Sequence, residues 1–228
     1  MPGIDSWSPL NAEIVECRRC PRLVAWREEV ARVKRRAYRD CVYWGRPVPG
    51  LGDTEARLLL LGLAPAAHGA NRTGRMFSGD SAGRTLIPAL YRAGLANQSH
   101  SDGPGDGLEL HDAFLTAVCR CAPPGNRPTP EEMRNCRPFW TRELALLTQV
   151  QVVLALGQIA FGAFLRWCRE QGAAVGRPAF GHGAVVRPGA GLPVLVGSYH
   201  PSRQNTNTGR LTEAMLGEVF GRVKEMLG

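Results

Sequence analysis

Side chains that could do chemistry are concentrated between Gly62 and Gly83, in the sequence GLAPAAHGANRTGRMFSGDSAG. This stretch follows the apolar run Arg57–Leu61, typical of a strand buried on both faces, and leads into a helical pattern from Ser81. The connection is far longer than an ordinary βα loop, and such loops bind ligands at the carboxyl end of parallel strands. It has neither a Walker loop nor the dinucleotide glycine fingerprint, so we do not expect a nucleotide-phosphate site.

Three residues have both a structural and a chemical interpretation. Phe77 could pack into the core, but it stands alone in a polar loop. Asp80 precedes the helix that starts at Ser81, so it could be an N-cap, and a capping carboxylate is also held rigidly and kept ionised. His200 follows another apolar run and is either a hydrogen-bonded structural residue or a catalytic donor.

The seven cysteines suggest a metal centre. Cys17-x2-Cys20 and Cys121-x14-Cys136 together could supply four thiolates, and Cys119 competes with Cys121 for the third position. The two halves are too far apart in sequence for a compact zinc finger. Thiolates suit both zinc and iron–sulfur clusters, so spacing leaves the two open.

Composition sets broader limits on the chain. Its 228 residues fit one domain, 1–228, and a net charge of +8 weakly favours a polyanionic partner. The positive charge is nearly all arginine, with lysine only at positions 34 and 224. We find no membrane-length apolar stretch and no signal pattern at the N-terminus, and we expect a cytoplasmic monomer.

The elements that would position these residues alternate between strands and helices. The sequence predicts strands over 57–62, 113–118, 152–157 and 192–198. It predicts helices after Cys20 and Gly157 and over about 81–94, 129–147 and 212–227. Residues 43–52 are interpreted as a surface strap and 97–107 as a flexible loop. This order favours an α/β fold, a three-layer α/β/α sandwich with a parallel sheet.

Several motifs resemble those of the uracil-DNA glycosylases, in the form of their fifth family. They are GLAP at 62–65, HG at 68–69, NRTGRMFSGD at 71–80, RCAPPGN at 120–126 and SYHPSRQNTNTGRLT at 198–212. Ser78 departs from the pattern, in which threonine is more usual. The resemblance implies four parallel strands at the centre of the sheet. It also implies a DNA-repair hydrolase that excises uracil from DNA by base flipping and water attack.

The resemblance also assigns the cysteines and the site residues. It implies a structural [4Fe–4S] cluster on Cys17, Cys20, Cys121 and Cys136. It implies catalytic roles for Asp80, His200 and Asn126, and a base pocket of Gly62, Ala64, His68, Phe77, Asn126 and His200. Contacts to DNA are expected from Asn71, Arg72, Arg75, Ser202, Arg203, Gln204 and Asn205.

Alternative functions remain open at this point. A non-catalytic metal-containing DNA regulator would explain the charge and the cysteines, but not the long loop. A relative that traps its product covalently on a histidine would need an added basic loop, which we do not find. The resemblance further implies activity on deaminated purines such as hypoxanthine, and the small alanines after Gly62 are consistent with a roomier pocket.

Overall fold

The computed structural model describes residues 6–189 and 191–228. Residues 1–5, part of the segment in which no signal pattern was found, lie outside the described residues. Within them the strands are β1 (Leu51–Gly52), β2 (Leu58–Gly62), β3 (Ala113–Ala117), β4 (Val152–Leu156), β5 (Val185–Val186) and β6 (Val194–Ser198). The α-helices are α1 (Trp7–Val15), α2 (Pro21–Val33), α3 (Ala70–Thr73), α4 (Ser81–Arg92), α5 (Pro130–Leu146), α6 (Gln158–Glu170), α7 (Arg203–Asn207) and α8 (Glu213–Leu227).

The strands form one sheet in the order β1-β3-β2-β4-β6-β5. The four inner strands are parallel, with Leu58 of β2 opposite Ala113 on one side and Val152 on the other. The two-residue strands β1 and β5 pair antiparallel at the two edges. The predicted four-stranded parallel sheet is therefore confirmed, and the short edge strands are additions that the sequence analysis did not predict.

Alternate residues of β2 point into two separate cores. Leu58 and Leu60 pack with α4 and α8 on one face. Leu59 and Leu61 pack with α1, α5 and α6 on the other. All four leucines are fully buried, as expected for a parallel strand covered on both faces. The three-layer α/β/α arrangement is confirmed.

The carboxyl ends of the inner strands share one edge of the sheet, and the long connections leave from there. Residues 63–80, which we call the motif loop, join β2 to α4. Two further connections leave β3 towards α5 and β6 towards α7 at the same edge. In the part of the chain that the structure describes, no helix has the length and apolarity needed to cross a membrane.

Candidate active site

An open cavity of about 540 Å³ lies at this edge of the sheet. Its walls come from the end of β2, the motif loop, the first turn of α4, the turn before α5 and the segment after β6. Nine of the residues predicted from the sequence line it: Gly62, Ala64, Phe77, Asp80, Asn126, His200, Ser202, Arg203 and Gln204. Segments distant in sequence therefore meet in one concave site.

Phe77 is held in an unfavourable backbone conformation on the wall of this cavity. Its φ is +51°, a value that non-glycine residues rarely adopt, and strain of this kind concentrates at functional sites. A Cβ on Gly62 would lie 3.1 Å from the ring atom Cζ of Phe77, so glycine lets the ring approach the end of β2. The centroid of the Phe77 ring is 6.4 Å from that of His200. The ring thus presents an apolar surface beside a polar donor.

Asp80 is the N-cap of α4, so its structural interpretation is correct. Its Oδ1 accepts a hydrogen bond from the backbone N–H of Gly83 at 2.8 Å. Its Oδ2 lies against Gly69, where an added Cβ would come within 2.3 Å of that oxygen. Burial raises the pKa of the Asp80 carboxyl above its usual value, although backbone N–H groups and two arginines oppose the shift. The carboxyl group is fixed in direction and lines the cavity.

His200 lies two residues beyond the end of β6, in the cavity wall. Burial lowers its pKa to about 4, so the ring is neutral at pH 7. The side-chain amide of Asn205 donates a hydrogen bond to the backbone carbonyl of His200 at 2.8 Å. Asn205 does not line the cavity; it fixes the backbone of the residue that does.

A second histidine supports the same strand end. The Nδ1 atom of His182 accepts a hydrogen bond from the backbone N–H of Tyr199 at 3.2 Å. Its Nε2 lies 3.0 Å from the carbonyl oxygen of Met215 in α8 and donates to it. His182 therefore joins the end of β6 to α8, a role that the sequence analysis did not detect.

Asn126 lies in a turn that borders the cavity. It lies in a 3₁₀ turn, Pro124–Asn126, with φ of +57°, next to Gly125 with φ of +60°. Asparagine and glycine are the residues that tolerate this left-handed conformation best. The turn exposes Asn126 and brings it to the cavity together with Arg127, which was not predicted.

Residues 202–205, which are expected to contact DNA, form the N-cap and first turn of the short helix α7. Ser202 caps α7 by accepting a hydrogen bond from the backbone N–H of Asn205 at 3.4 Å. Arg203 and Gln204 form its first turn, are exposed, and line the mouth of the cavity. They are therefore placed to touch a ligand that enters the cavity.

Two of the predicted DNA contacts are corrected by the structure. Asn71 is fully buried and donates a hydrogen bond from its Nδ2 to the backbone carbonyl of Arg27 at 3.2 Å. Arg75 forms a largely buried ion pair with Asp106. Neither side chain is available to a phosphate group.

His68 and Arg72 are also placed differently from the prediction. The ring of His68 does not line the cavity; its Nδ1 lies 3.0 Å from the hydroxyl of Tyr43. The guanidinium of Arg72 donates to the backbone carbonyls of His68 and Gly79 and stacks on the ring of Tyr38. His68 therefore lies outside the lining of this cavity, and the contacts of Arg72 stabilise the motif loop.

The predicted flexible loop 97–107 packs against the motif loop through hydrogen bonds. Asp106 accepts hydrogen bonds from the backbone N–H groups of Asp102, Gly103 and Leu108 in addition to its pair with Arg75. The charge of Arg75 and these N–H groups overcome the effect of burial and lower the pKa of Asp106 to about 2. The loop is a second support for the backbone that carries Phe77.

The four predicted cluster ligands come together at a separate place. Cys17, Cys20, Cys121 and Cys136 all line one small cavity between α2, the segment after β3 and α5. Cys119 does not line it; it is fully buried and hydrogen-bonded to the Cys136 thiol. Among the described residues, no three or more potential ligands are gathered tightly enough for a single metal ion.

The surroundings of these thiols fit an anionic sulfur centre. Arg27 is 2% exposed, and its Nη1 donates to Cys121 Sγ at 3.0 Å and to the carbonyl of Cys17 at 3.2 Å. Its Nε has no partner among the described residues. The backbone N–H of Arg120 donates to Cys136 Sγ at 3.1 Å. Glu28 Oε1 lies 3.8 Å from Arg27 Nη2, so one carboxylate already faces this guanidinium, and metal-bound thiolates would add negative charge on its Cys121 side.

Comparisons with known proteins define the class of protein to which this fold and this site belong. Residues 49–224 match the family described as the Uracil DNA glycosylase superfamily. A type-5 uracil-DNA glycosylase of Mycobacterium bovis is 53% identical over 99% of this chain and 84% of its own length. The type-5 uracil-DNA glycosylase of Thermus thermophilus is 53% identical over 94% of this chain and 95% of its own length. That of Pyrobaculum aerophilum is 48% identical over 92% of this chain and 88% of its own length.

The chain therefore belongs to the uracil DNA glycosylase superfamily, within its type-5 family. This confirms the family that the motifs indicated.

Proposed function

We propose that this protein is a monofunctional uracil-DNA glycosylase, which hydrolyses the N-glycosidic bond between uracil and deoxyribose in DNA. The observation that carries the proposal is the meeting of Phe77, Asp80 and His200 in one cavity at the carboxyl edge of the sheet. The names of the type-5 relatives support the same activity.

Base excision begins with binding. An enzyme that cleaves a glycosidic bond must take the base out of the helical stack into a pocket. The Phe77 ring offers a face for stacking, and Ala64 and Gly62 leave room beside it. Arg203 and Gln204 at the mouth would contact the strand and the space that the flipped base leaves.

The departing base carries away the bonding electrons as C1′–N1 breaks, so negative charge develops on the uracil. A neutral His200 can donate a hydrogen bond to a carbonyl oxygen of the base and stabilise that charge. A fixed donor in a site that excludes water needs no reorganisation as the charge forms. The hydrogen bond from Asn205 keeps the His200 backbone in place for this role.

The other half of the reaction is attack by water. Asp80, in its carboxylate form, would orient a water molecule towards C1′ and accept its proton as the new C–O bond forms. Its negative charge would also stabilise the oxocarbenium-like sugar. The pKa raised by burial makes Asp80 a better proton acceptor than an exposed aspartate. Asn126, which also lines the cavity, would help to position the same water.

The site contains no evident nucleophile for a lyase step. A Schiff base requires an amine, and neither of the two lysine amines, those of Lys34 and Lys224, is among the residues that line the cavity. The product should therefore be free base and an intact abasic strand.

Deaminated purines are the further substrates that we propose. Ala64, Pro65 and Ala66 are small apolar residues that line the cavity, and its volume is about 540 Å³. Hypoxanthine is the probe of choice, because it carries a carbonyl oxygen that can accept the hydrogen bond from His200.

We further propose that Cys17, Cys20, Cys121 and Cys136 bind a [4Fe–4S] cluster. Each iron of such a cluster takes one thiolate, so its ligands stand farther apart than those of a single ion. The support is the shared cavity and the buried cation at Cys121. When bound, the cluster would join α2 to the segment after β3, and we assign it no step in the reaction.

One experiment separates the candidate functions. A duplex with a single labelled uracil is incubated with the protein and then treated with alkali, and a thymine duplex is the control. Strand cleavage only after alkali supports a monofunctional glycosylase. Cleavage without alkali indicates a lyase, a protein–DNA adduct indicates covalent trapping, and binding without cleavage indicates a regulator.

A further inference from the structure

We infer that residues 34–39, which we call the basic turn, form a second DNA-binding surface outside the cavity, for the phosphates that flank a flipped nucleotide. The inference rests on the proposed function. The sequence KRRAYRD at 34–40 holds four cationic side chains and one carboxylate. The side chains of Arg35, Arg36 and Arg39 are exposed.

The charges of the basic turn are not neutralised within the protein. Arg35 and Arg36 have no side-chain hydrogen bond or ion pair within the described residues. Arg39 comes within 3.8 Å of Asp40, but the two side chains are 74% and 94% exposed and solvent screens the pair. By contrast, Arg32 in the preceding helix is held by Glu29 at 2.7 Å.

The basic turn is fixed against the outer side of the motif loop. The guanidinium of Arg72 stacks on the ring of Tyr38, 4.3 Å from its centroid. Arg35 lies near enough to His68 to contribute, after burial, to lowering the pKa of that ring. The residue after His68 is Gly69, which touches Asp80. The basic turn therefore contacts the motif loop at Arg72 and lies near His68, and the same loop contacts the Asp80 carboxylate through Gly69.

The conformation of the turn carries strain. Lys34 ends α2 with φ of +59° and ψ of 166°, a region that is essentially reserved for glycine. Its Nζ donates to the backbone carbonyl of Arg39 at 3.2 Å, which closes the turn. Strain of this kind persists where the surrounding structure enforces it, and here it turns the chain so that the three arginines face solvent.

Duplex DNA is the partner that this surface fits. A duplex carries one negative charge per roughly 1.7 Å of its axis, so a nucleotide held in the cavity has charged neighbours on both sides. Arginine forks bind phosphate oxygens in two places, and such contacts set register without reading sequence. The basic turn would hold the backbone on the side of the motif loop that Arg203 does not reach.

The test compares two double variants that remove the same charge. Arg35→Gln/Arg36→Gln removes two unpaired arginines, and Arg32→Gln/Arg92→Gln removes two exposed arginines already paired with glutamates. Affinity for a uracil-free duplex is measured at several salt concentrations. Each lost phosphate contact makes the negative slope of log K against log salt shallower by about 0.9, so the slope for Arg35→Gln/Arg36→Gln should be shallower by about 2. The slope for Arg32→Gln/Arg92→Gln should change by less than half as much.

Excision is measured in the same samples under single-turnover conditions at saturating enzyme. We expect the rate for both variants to stay within about 2-fold of the unaltered protein, because the cavity is untouched. An unchanged salt slope in Arg35→Gln/Arg36→Gln would overturn the inference and indicate another anionic partner, such as an acidic protein. Absence of excision by the unaltered protein would contradict the proposed function, while the salt slope would still decide the inference.

Discussion

Asp80 is the N-cap of α4 and is also the proposed general base, and one substitution can separate these two roles. Asparagine keeps an oxygen that can accept the hydrogen bond from Gly83, now 2.8 Å long, so the start of α4 should be preserved. The negative charge and the basic oxygen are lost. Alanine removes the cap as well.

The expected magnitudes follow from these contacts. Loss of general-base assistance is typically worth about 10²–10⁴ in rate, and the electrostatic loss adds to it. Asp80→Asn should therefore excise uracil at least about 100-fold more slowly while it melts near the temperature of the unaltered protein. Asp80→Ala should lose the same activity and roughly 1 kcal/mol of stability, the usual cost of a lost N-cap.

The assay combines single-turnover excision at saturating enzyme with thermal melting. The matched control is Asp53→Asn, because Asp53 also accepts backbone hydrogen bonds, from Glu55 and Asp112, but lies away from the cavity. Its excision rate should be unchanged. A near-normal rate for Asp80→Asn would show that Asp80 is only a cap, and would leave Asn126 as the residue that places the water.

Three further predictions concern pH, packing and the cysteines. Because burial lowers the pKa of His200 to about 4, the imidazole takes up a proton at a higher pH in the unfolded chain than in the folded protein, so the free energy of unfolding falls as pH drops from about 6.5 to 4. His200→Asn lacks this group and should be spared about 3 kcal/mol of the loss at pH 4, measured by denaturant titration. Identical pH dependence in both proteins would contradict the burial of this ring. Gly69→Ala should displace the Asp80 carboxylate and slow excision by at least about 10-fold. The control is Gly162→Ala, whose added Cβ meets no atom within 4 Å and should leave the rate unchanged. Equal rates for the two variants would show that the carboxylate tolerates movement. Anaerobically purified protein should be brown and contain iron and acid-labile sulfide. Cys121→Ser should abolish the colour, whereas Cys119→Ser should keep it. Stoichiometric zinc in a colourless, active protein would refute the cluster.

Strongly patterned elements could be predicted from the sequence. The buried apolar runs gave the inner strands to within two residues, because a strand covered on both faces has a nearly continuous apolar signature. The edge strands β1 and β5 have two residues each and carry no such signature. The helix α7 is polar, and only the serine cap at Ser202 signals it.

The positions of Asp80 and His200 were also predictable, whereas side-chain orientation within the motif loop was not. Asp80 directly precedes the helix α4 and His200 follows the strand β6, so both lie beside elements that the sequence predicts. The pairing of Arg75 with Asp106 joins residues 31 apart, and the contact of His68 with Tyr43 joins residues 25 apart. Such tertiary partners leave no periodic signal in the sequence, so polar residues that brace a loop look the same as residues that bind DNA.

In the proposed function, one cavity both receives uracil and contains the groups that break its bond to the sugar. The most direct measurement is free base released from a uracil duplex at limiting DNA, quantified by chromatography beside the abasic sites in the same sample. We predict one free uracil for each abasic site with the unaltered protein, and at least about 100-fold slower release with Asp80→Asn. Tight binding of the duplex with no free uracil, or abasic sites without equimolar uracil, would contradict it.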